Sequence, residues 1–282
     1  MSPRLITAFV LTLGLSTAQA STVNTGQVGI NPNFSGGTGP FSQNVNNQGP
    51  VDIKNPQLVT GGFGSSGNAA TFVDYGVIKL SGDSAGSLNA VARGIIRDDL
   101  TFSAPGFATG TQAAVTFSLI VNGTLSVGPL GLSTASWGLQ ADLGGGFFDI
   151  NKSASLLGAG PFLPNHGYVG DPFGTYSATV TLQLGFVAPL DIELTASAQT
   201  GFDFVGSSPS SFDLAHSLYW GGIGAVTING VAVNDFAVTS GSGTAYSTSL
   251  APAPVPLPPA LLLFAPALAL LRHRCAPGLR AS

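Results

Sequence analysis

Residues 113–121 (Ala-Ala-Val-Thr-Phe-Ser-Leu-Ile-Val) alternate small or polar with apolar side chains, the period of a strand with one buried face. Asn122-Gly123 follows, and the alternation resumes over 124–127. An Asn-Gly pair between alternating segments predicts a type I′ hairpin, because both turn residues then need φ > 0. The pattern recurs as 225–228, Asn229-Gly230 and 231–233. Residues 177–187 predict a further strand, with 191–198 as its partner across Ala188-Pro189-Leu190. Shorter strands are predicted at 77–80, 91–96, 100–102 and 236–239. Residues 21–50, rich in Asn, Gly, Pro and Gln, read as loop or a loosely paired edge, and 200–212 read as a loop. No internal repeat divides this body. Short strands separated by turn signals predict an all-β fold, a single β-sandwich or jelly-roll-like domain over 21–250.

Composition narrows the class further. Of 282 residues only 8% are charged and 44% are hydrophobic, with 39 Gly, 19 Pro and one Cys. A single Cys rules out a disulfide scaffold or a Cys-rich zinc site. High hydrophobicity with low charge argues against disorder.

The two ends differ from the body. Residues 1–20 carry Arg4, an apolar run over 5–15 and Ala18-Gln19-Ala20, the layout of a secretory signal peptide cleaved after Ala20. Such a leader implies passage through the Sec translocon. At the other end, 251–259 form a Pro-rich spacer, stiff because each Pro fixes φ. Residues 260–271 then carry no polar side chain, and Arg272-His273-Arg274 follow. As helix, 260–271 cover about 18 Å and 255–271 about 25 Å, short of a bilayer core of about 30 Å. The arginines would hold that end in the cytoplasm. The segment therefore predicts a transient inner-membrane stop and not a lasting anchor.

Val255-Pro256-Leu257-Pro258, the apolar stretch 260–271 and the Arg272/Arg274 cluster together resemble the PEP-CTERM sorting signal of Gram-negative bacteria, in its Val-Pro-Leu-Pro variant. The resemblance implies a C-terminal sorting helix within 251–282. It also implies recognition and removal of that tail by an exosortase, a membrane cysteine protease, during export to the cell surface or extracellular matrix. Proteins of that kind accompany loci for extracellular polysaccharide, a possible partner. Three stretches of the body, 98–106, 212–222 and 236–243, also resemble the exported domains found ahead of such tails. They imply an all-β module whose last strands precede the signal.

Candidate chemistry is sparse. Residues 21–255 hold five basic residues against 13 acidic ones, a net charge of −8, which disfavours nucleic acid and anionic surfaces. His166 and His216 are the histidines of that stretch, yet no Gly-x-Ser-x-Gly elbow and no His-Glu-x-x-His accompanies them. Glu193 is the only Glu and falls in a predicted strand. Asp98 and Asp99 are adjacent, so a strand points them to opposite faces, unlike a glycosidase pair. Asp142, Asp149, Asp171, Asp203 and Asp213 could converge on Ca²⁺, although no Asp-x-Asp-x-Asp-Gly loop is present, and turn or cap roles compete. Trp137, Trp220, Tyr168, Tyr176 and Tyr219 could form a sugar-stacking face or serve as core.

No catalytic, cofactor or metal site is assigned on these grounds. The expectation is an exported, non-enzymatic surface or matrix protein, with a secreted carbohydrate-binding module and a secreted hydrolase as the alternatives.

Overall fold

Sixteen β-strands and no helix occupy the described residues of this computed structural model, which are 22–32, 41–55, 65–128, 133–145, 148–158, 167–201 and 208–252. In chain order they are β1 (Val23–Pro32), β2 (Phe41–Asn47), β3 (Val51–Asn55), β4 (Ser66–Asp74), β5 (Val77–Ala85), β6 (Leu88–Ser103), β7 (Gln112–Val121) and β8 (Thr124–Val127). The second half holds β9 (Ser133–Leu143), β10 (Ile150–Leu157), β11 (Gly167–Gly170), β12 (Gly174–Gln183), β13 (Val187–Thr200), β14 (Ser210–Ile228), β15 (Val231–Ala232) and β16 (Ala237–Ser240). The signal segment 1–20 and the tail residues Val255 to Arg274 lie outside the described residues.

Two antiparallel sheets result, consistent with the expected β-sandwich. Sheet A runs β11-β10-β9-β13-β6-β1-β2, with β16 also on β6. Sheet B runs β12-β7-β14-β5-β4-β3, with β8 and β15 on β14. Alternation does what it predicts: β7 and β9 bury every second residue. The inward rows meet in one core that includes Val73, Ile78, Ile96, Phe117, Leu194 and Trp220. Each fully buried aliphatic or aromatic side chain there contributes about 1.5–3 kcal/mol against the entropy of ordering the chain.

Two glycines of sheet A lie directly under side chains of sheet B. Gly26 of β1 and Gly94 of β6 are paired directly. A Cβ on Gly26 would stand 2.8 Å from Val51 Cγ1 and 2.9 Å from Thr71 Cγ2, and one on Gly94 would collide with Ile78 Cγ2. Bare backbone in sheet A thus receives branched side chains from sheet B.

Four expectations are corrected. Residues 23–32 are neither loop nor loose edge: β1 lies between β2 and β6, paired to β6 at ten positions. Its inward residues Asn24, Gly26, Val28 and Ile30 are half small or polar, because the bulk comes from the opposite sheet.

Asn122-Gly123 is not a hairpin. β7 pairs β14 from Ala113↔Ile228 to Val121↔Leu218, and β8 continues along the same strand from Thr124↔Asp213 to Val127↔Ser210. Gly123 is needed there for room, since a Cβ would sit 2.9 Å from the Asp213 carbonyl oxygen. Asn229-Gly230, by contrast, has φ of 52° and 78° and closes β14 onto β15 as predicted.

Finally, 177–187 and 191–198 are not partners. β12 pairs β7 in sheet B, whereas β13 pairs β6 and β9 in sheet A. The turn between them crosses from sheet to sheet. Pro189 falls inside β13 where its ladder partner is Asp99 of β6, one position before pairing with β9 begins. The predicted loop at 200–212 is also shorter than expected, since β14 begins at Ser210.

The stretches 98–106 and 236–243 meet in space, and 212–222 is tied to the segment that follows them. β16 pairs the end of β6, Ala237↔Ser103 through Ser240↔Leu100. Asp98 points inward and accepts from the Ser242 backbone N–H at 3.1 Å and from the Ser242 hydroxyl, while Asp99 lies on the other face, as alternation requires. Leu250 N donates to the Trp220 carbonyl oxygen at 2.9 Å. The described residues up to Leu250 form one compact unit.

Candidate binding face

The outward face of sheet A carries the most developed polar arrangement. On β6 and β13 the outward positions include Arg93, Ile95 and Arg97, and Asp191, Glu193 and Thr195. Arg93 Nε and Nη2 donate to Glu193 Oε1 and Oε2 at 2.7 and 2.6 Å, a two-pronged pair formed diagonally across the strands. Arg93 Nη1 also reaches Gln27 Oε1 on β1 at 3.4 Å. The hydrogen bond to Glu193 raises the Arg93 guanidinium pKa, so Arg93 stays charged. Arg97 Nε donates to Asp191 at 2.9 Å beside it. Ile95 is only 4% exposed although it points outward between these groups.

Two depressions flank this pair. One of about 420 Å³ is lined by Gln27, Ser42, Asn44, Val91, Arg93 and Thr195 among others. The second, about 300 Å³, is lined by Gly138, Gln140, Asn151, Ser153, Glu193 and Thr195 among others. Thr195 borders both and donates its hydroxyl to the Gly138 carbonyl at 3.3 Å. Its Oγ1 would stand 3.0 Å from a Cβ on Gly138, so glycine keeps the floor of the second depression low. The face offers amide donors and acceptors, hydroxyls and one rigid guanidinium–carboxylate fork.

The aromatics do not form a face. Trp220 and Trp137 are 0% and 2% exposed, and Tyr219 is buried too, so of the two readings the core one holds for these three. Trp220 stacks on Phe117 at 5.7 Å inside the core, where its apolar surface is sheltered. Trp137 stacks on Phe173 at 5.3 Å and donates from Nε1 to the Tyr168 hydroxyl at 3.3 Å. Around it, Lys152 pairs with Asp171 at 3.1 Å and lies over the Tyr176 ring. Lys152 and the Ser153 backbone N–H hold the Asp171 carboxyl below its ordinary value. Of the five aromatics, Tyr168 alone is strongly exposed, at 44%.

Of the calcium candidates in the described residues, Asp142 and Asp149 are neighbours, and Asp171 and Asp213 have other places. Asp149 accepts from Leu143 N at 2.8 Å and titrates high, chiefly through burial and further through Asp142. Asp171 is committed to Lys152, and Asp213 lies on β14. Among the described residues no group of three or more His, Cys, Asp or Glu could hold a metal. Asp203, His166 and the side chain of His216 lie outside the described residues, as do Ala18, Ala20, Val255, Pro256, Leu257, Pro258, Arg272 and Arg274.

Sequence reasoning missed Gln27, Asn44, Gln140, Asn151 and Thr195 as a group. Their signal was the outward half of each alternation, which marks a wetted face without saying which strands share it. Compared with family models, curated proteins and solved structures, the chain matches none of them.

Proposed function

We propose that this chain is an exported, non-enzymatic protein of the cell surface or extracellular matrix, sorted by its tail through an exosortase-type system. The observation that carries the reading is the order Val255-Pro256-Leu257-Pro258, apolar 260–271, Arg272/Arg274 behind a chain that opens with a signal-like leader ending Ala18-Gln19-Ala20. The Sec translocon would pass the chain, the arginines would hold the tail in the inner membrane, and the protease would meet the motif at the outer water boundary. The fold lends support from its side. Its last turn is clamped at Leu250, and only four residues separate that point from Val255. The Pro-rich spacer then offers a processing enzyme an extended substrate.

Mass spectrometry of the protein from its native host tests this. The expected species begins at Ser21 and ends near residue 255, and exchanging Pro256 and Pro258 for Ala leaves an uncut precursor in the inner membrane. A dominant surface species ending at Ser282 would replace sorting with plain anchoring.

A further inference from the structure

We infer that the outward face of sheet A binds an extended, neutral polysaccharide chain, laid across β2, β1, β6, β13, β9 and β10 with the Arg93–Glu193 pair at its centre. The idea rests on the exported-surface reading for the setting in which such a polymer is met. Its geometry comes from the face itself.

The register lines up one position per strand: Asn44 opposite Gln27, Gln27 opposite Arg93, Arg93 opposite Thr195, Thr195 opposite Gly138, and Gly138 opposite Ser153. The neighbouring row brings Glu193, Gln140 and Asn151 alongside. Strands stand about 4.8 Å apart, close to the advance of one pyranose in an extended chain, so each sugar meets a new polar position. Six strands give five steps, a track of about 24 Å.

Chemistry selects among ligands. A vicinal diol both donates and accepts, which suits amides, hydroxyls and a fork holding donors and acceptors rigid. A lipid or an apolar peptide would desolvate the amides of Gln27, Asn44, Gln140 and Asn151 without supplying hydrogen bonds. A peptide strand adds to a sheet edge, whereas this is a face whose backbone groups are already paired. Among the described residues the cations of this face are all matched: Arg93 by Glu193, Arg97 by Asp191, and Lys152, which also lines the second depression, by Asp171. The two depressions, lined in part by Gly29 and Gly138, admit rings instead of a flat contact.

The test uses the full-length chain in detergent, so it is independent of tail processing. Calorimetry with cellohexaose and mannohexaose, and with polygalacturonate as the anionic probe, measures affinity. At least one neutral hexaose should bind, and Gln140→Ala/Asn151→Ala and Gln27→Ala/Asn44→Ala should each weaken it about tenfold or more without changing melting. Arg93→Lys, which keeps the charge but loses the fork, should do the same. Lys79→Ala on sheet B should change nothing. Three results would overturn the inference: no binding of either hexaose at millimolar concentration, tighter binding of polygalacturonate, or binding that survives both double substitutions. None of these touches the C-terminal mass that tests sorting.

Discussion

Tyr246 meets Trp220 edge-on, ring centroids 5.1 Å apart at 85°, and Trp220 Nε1 donates to the Tyr246 carbonyl oxygen at 2.6 Å. Both side chains are fully buried. A residue only a few positions before the end of the folded unit is thereby built into the core of sheet B. Burial, followed by the nearby Asp98 carboxylate, pushes the Tyr246 hydroxyl pKa far up, so it stays neutral. Tyr246→Ala is expected to cost about 3–5 kcal/mol in urea unfolding, as other large-to-small aromatic truncations do. Tyr246→Phe keeps the ring and should cost no more than about 1 kcal/mol. Equal and small effects of both would mean that the final segment is not part of the cooperative unit.

Gly123 and Gly230 separate two reasons for glycine. Gly230 has positive φ with nothing within 4 Å of a Cβ, whereas Gly123 is crowded by Asp213 and Leu214. Gly230→Asn should be nearly neutral, since Asn tolerates the left-handed region. Gly123→Ala should already cost about 1–3 kcal/mol through overpacking. Thermal melts of the two variants decide it, and a tolerant Gly123 would mean that the close approach to the Asp213 carbonyl is not made.

Gly94 predicts a coupling across the sheets. Gly94→Ala drives a methyl into Ile78 and, at 3.0 Å, Val73, with an expected cost of about 1–3 kcal/mol. Ile78→Ala alone leaves a cavity and costs about 2–5 kcal/mol. The double variant should be less destabilised than the sum, because the new methyl occupies the space vacated. Strict additivity in a double-mutant cycle would place the two residues out of contact.

Two carboxyl groups respond to pH with opposite sign. Asp171 is depressed by Lys152 and Ser153, so its contribution is present above the unfolded carboxylate pKa and fades as pH falls through its lower folded value. Asp149 is raised by burial and then by Asp142, so ionising it costs stability as pH rises through its higher folded value. Asp149→Asn keeps an oxygen for the Leu143 N–H and removes the charge. It should melt higher than wild type at pH 7, with the advantage vanishing below the ordinary carboxylate range. Asp171→Asn should melt lower at pH 7, and that deficit should also close in acid. Melting curves from pH 3 to 7 read both.

Alternation by itself determined the all-β class, the inward and outward faces of β7 and β13, the opposition of Asp98 and Asp99, and the Asn229-Gly230 turn. Each is a local matter of period two or of backbone φ, legible within a few residues. Tertiary structure alone decided that β8 continues β7 along β14, that β12 and β13 part into different sheets, and that Arg93 meets Glu193 100 residues away. It also decided the place of β1. The inward side of sheet A is small at Gly26, Ala92 and Gly94, and the volume that fills it belongs to Val51, Thr71, Val73 and Ile78 of sheet B. A strand whose partner supplies the bulk carries little hydrophobic signal of its own. Packing is complementary between surfaces, so its record is split between segments that only the fold brings together.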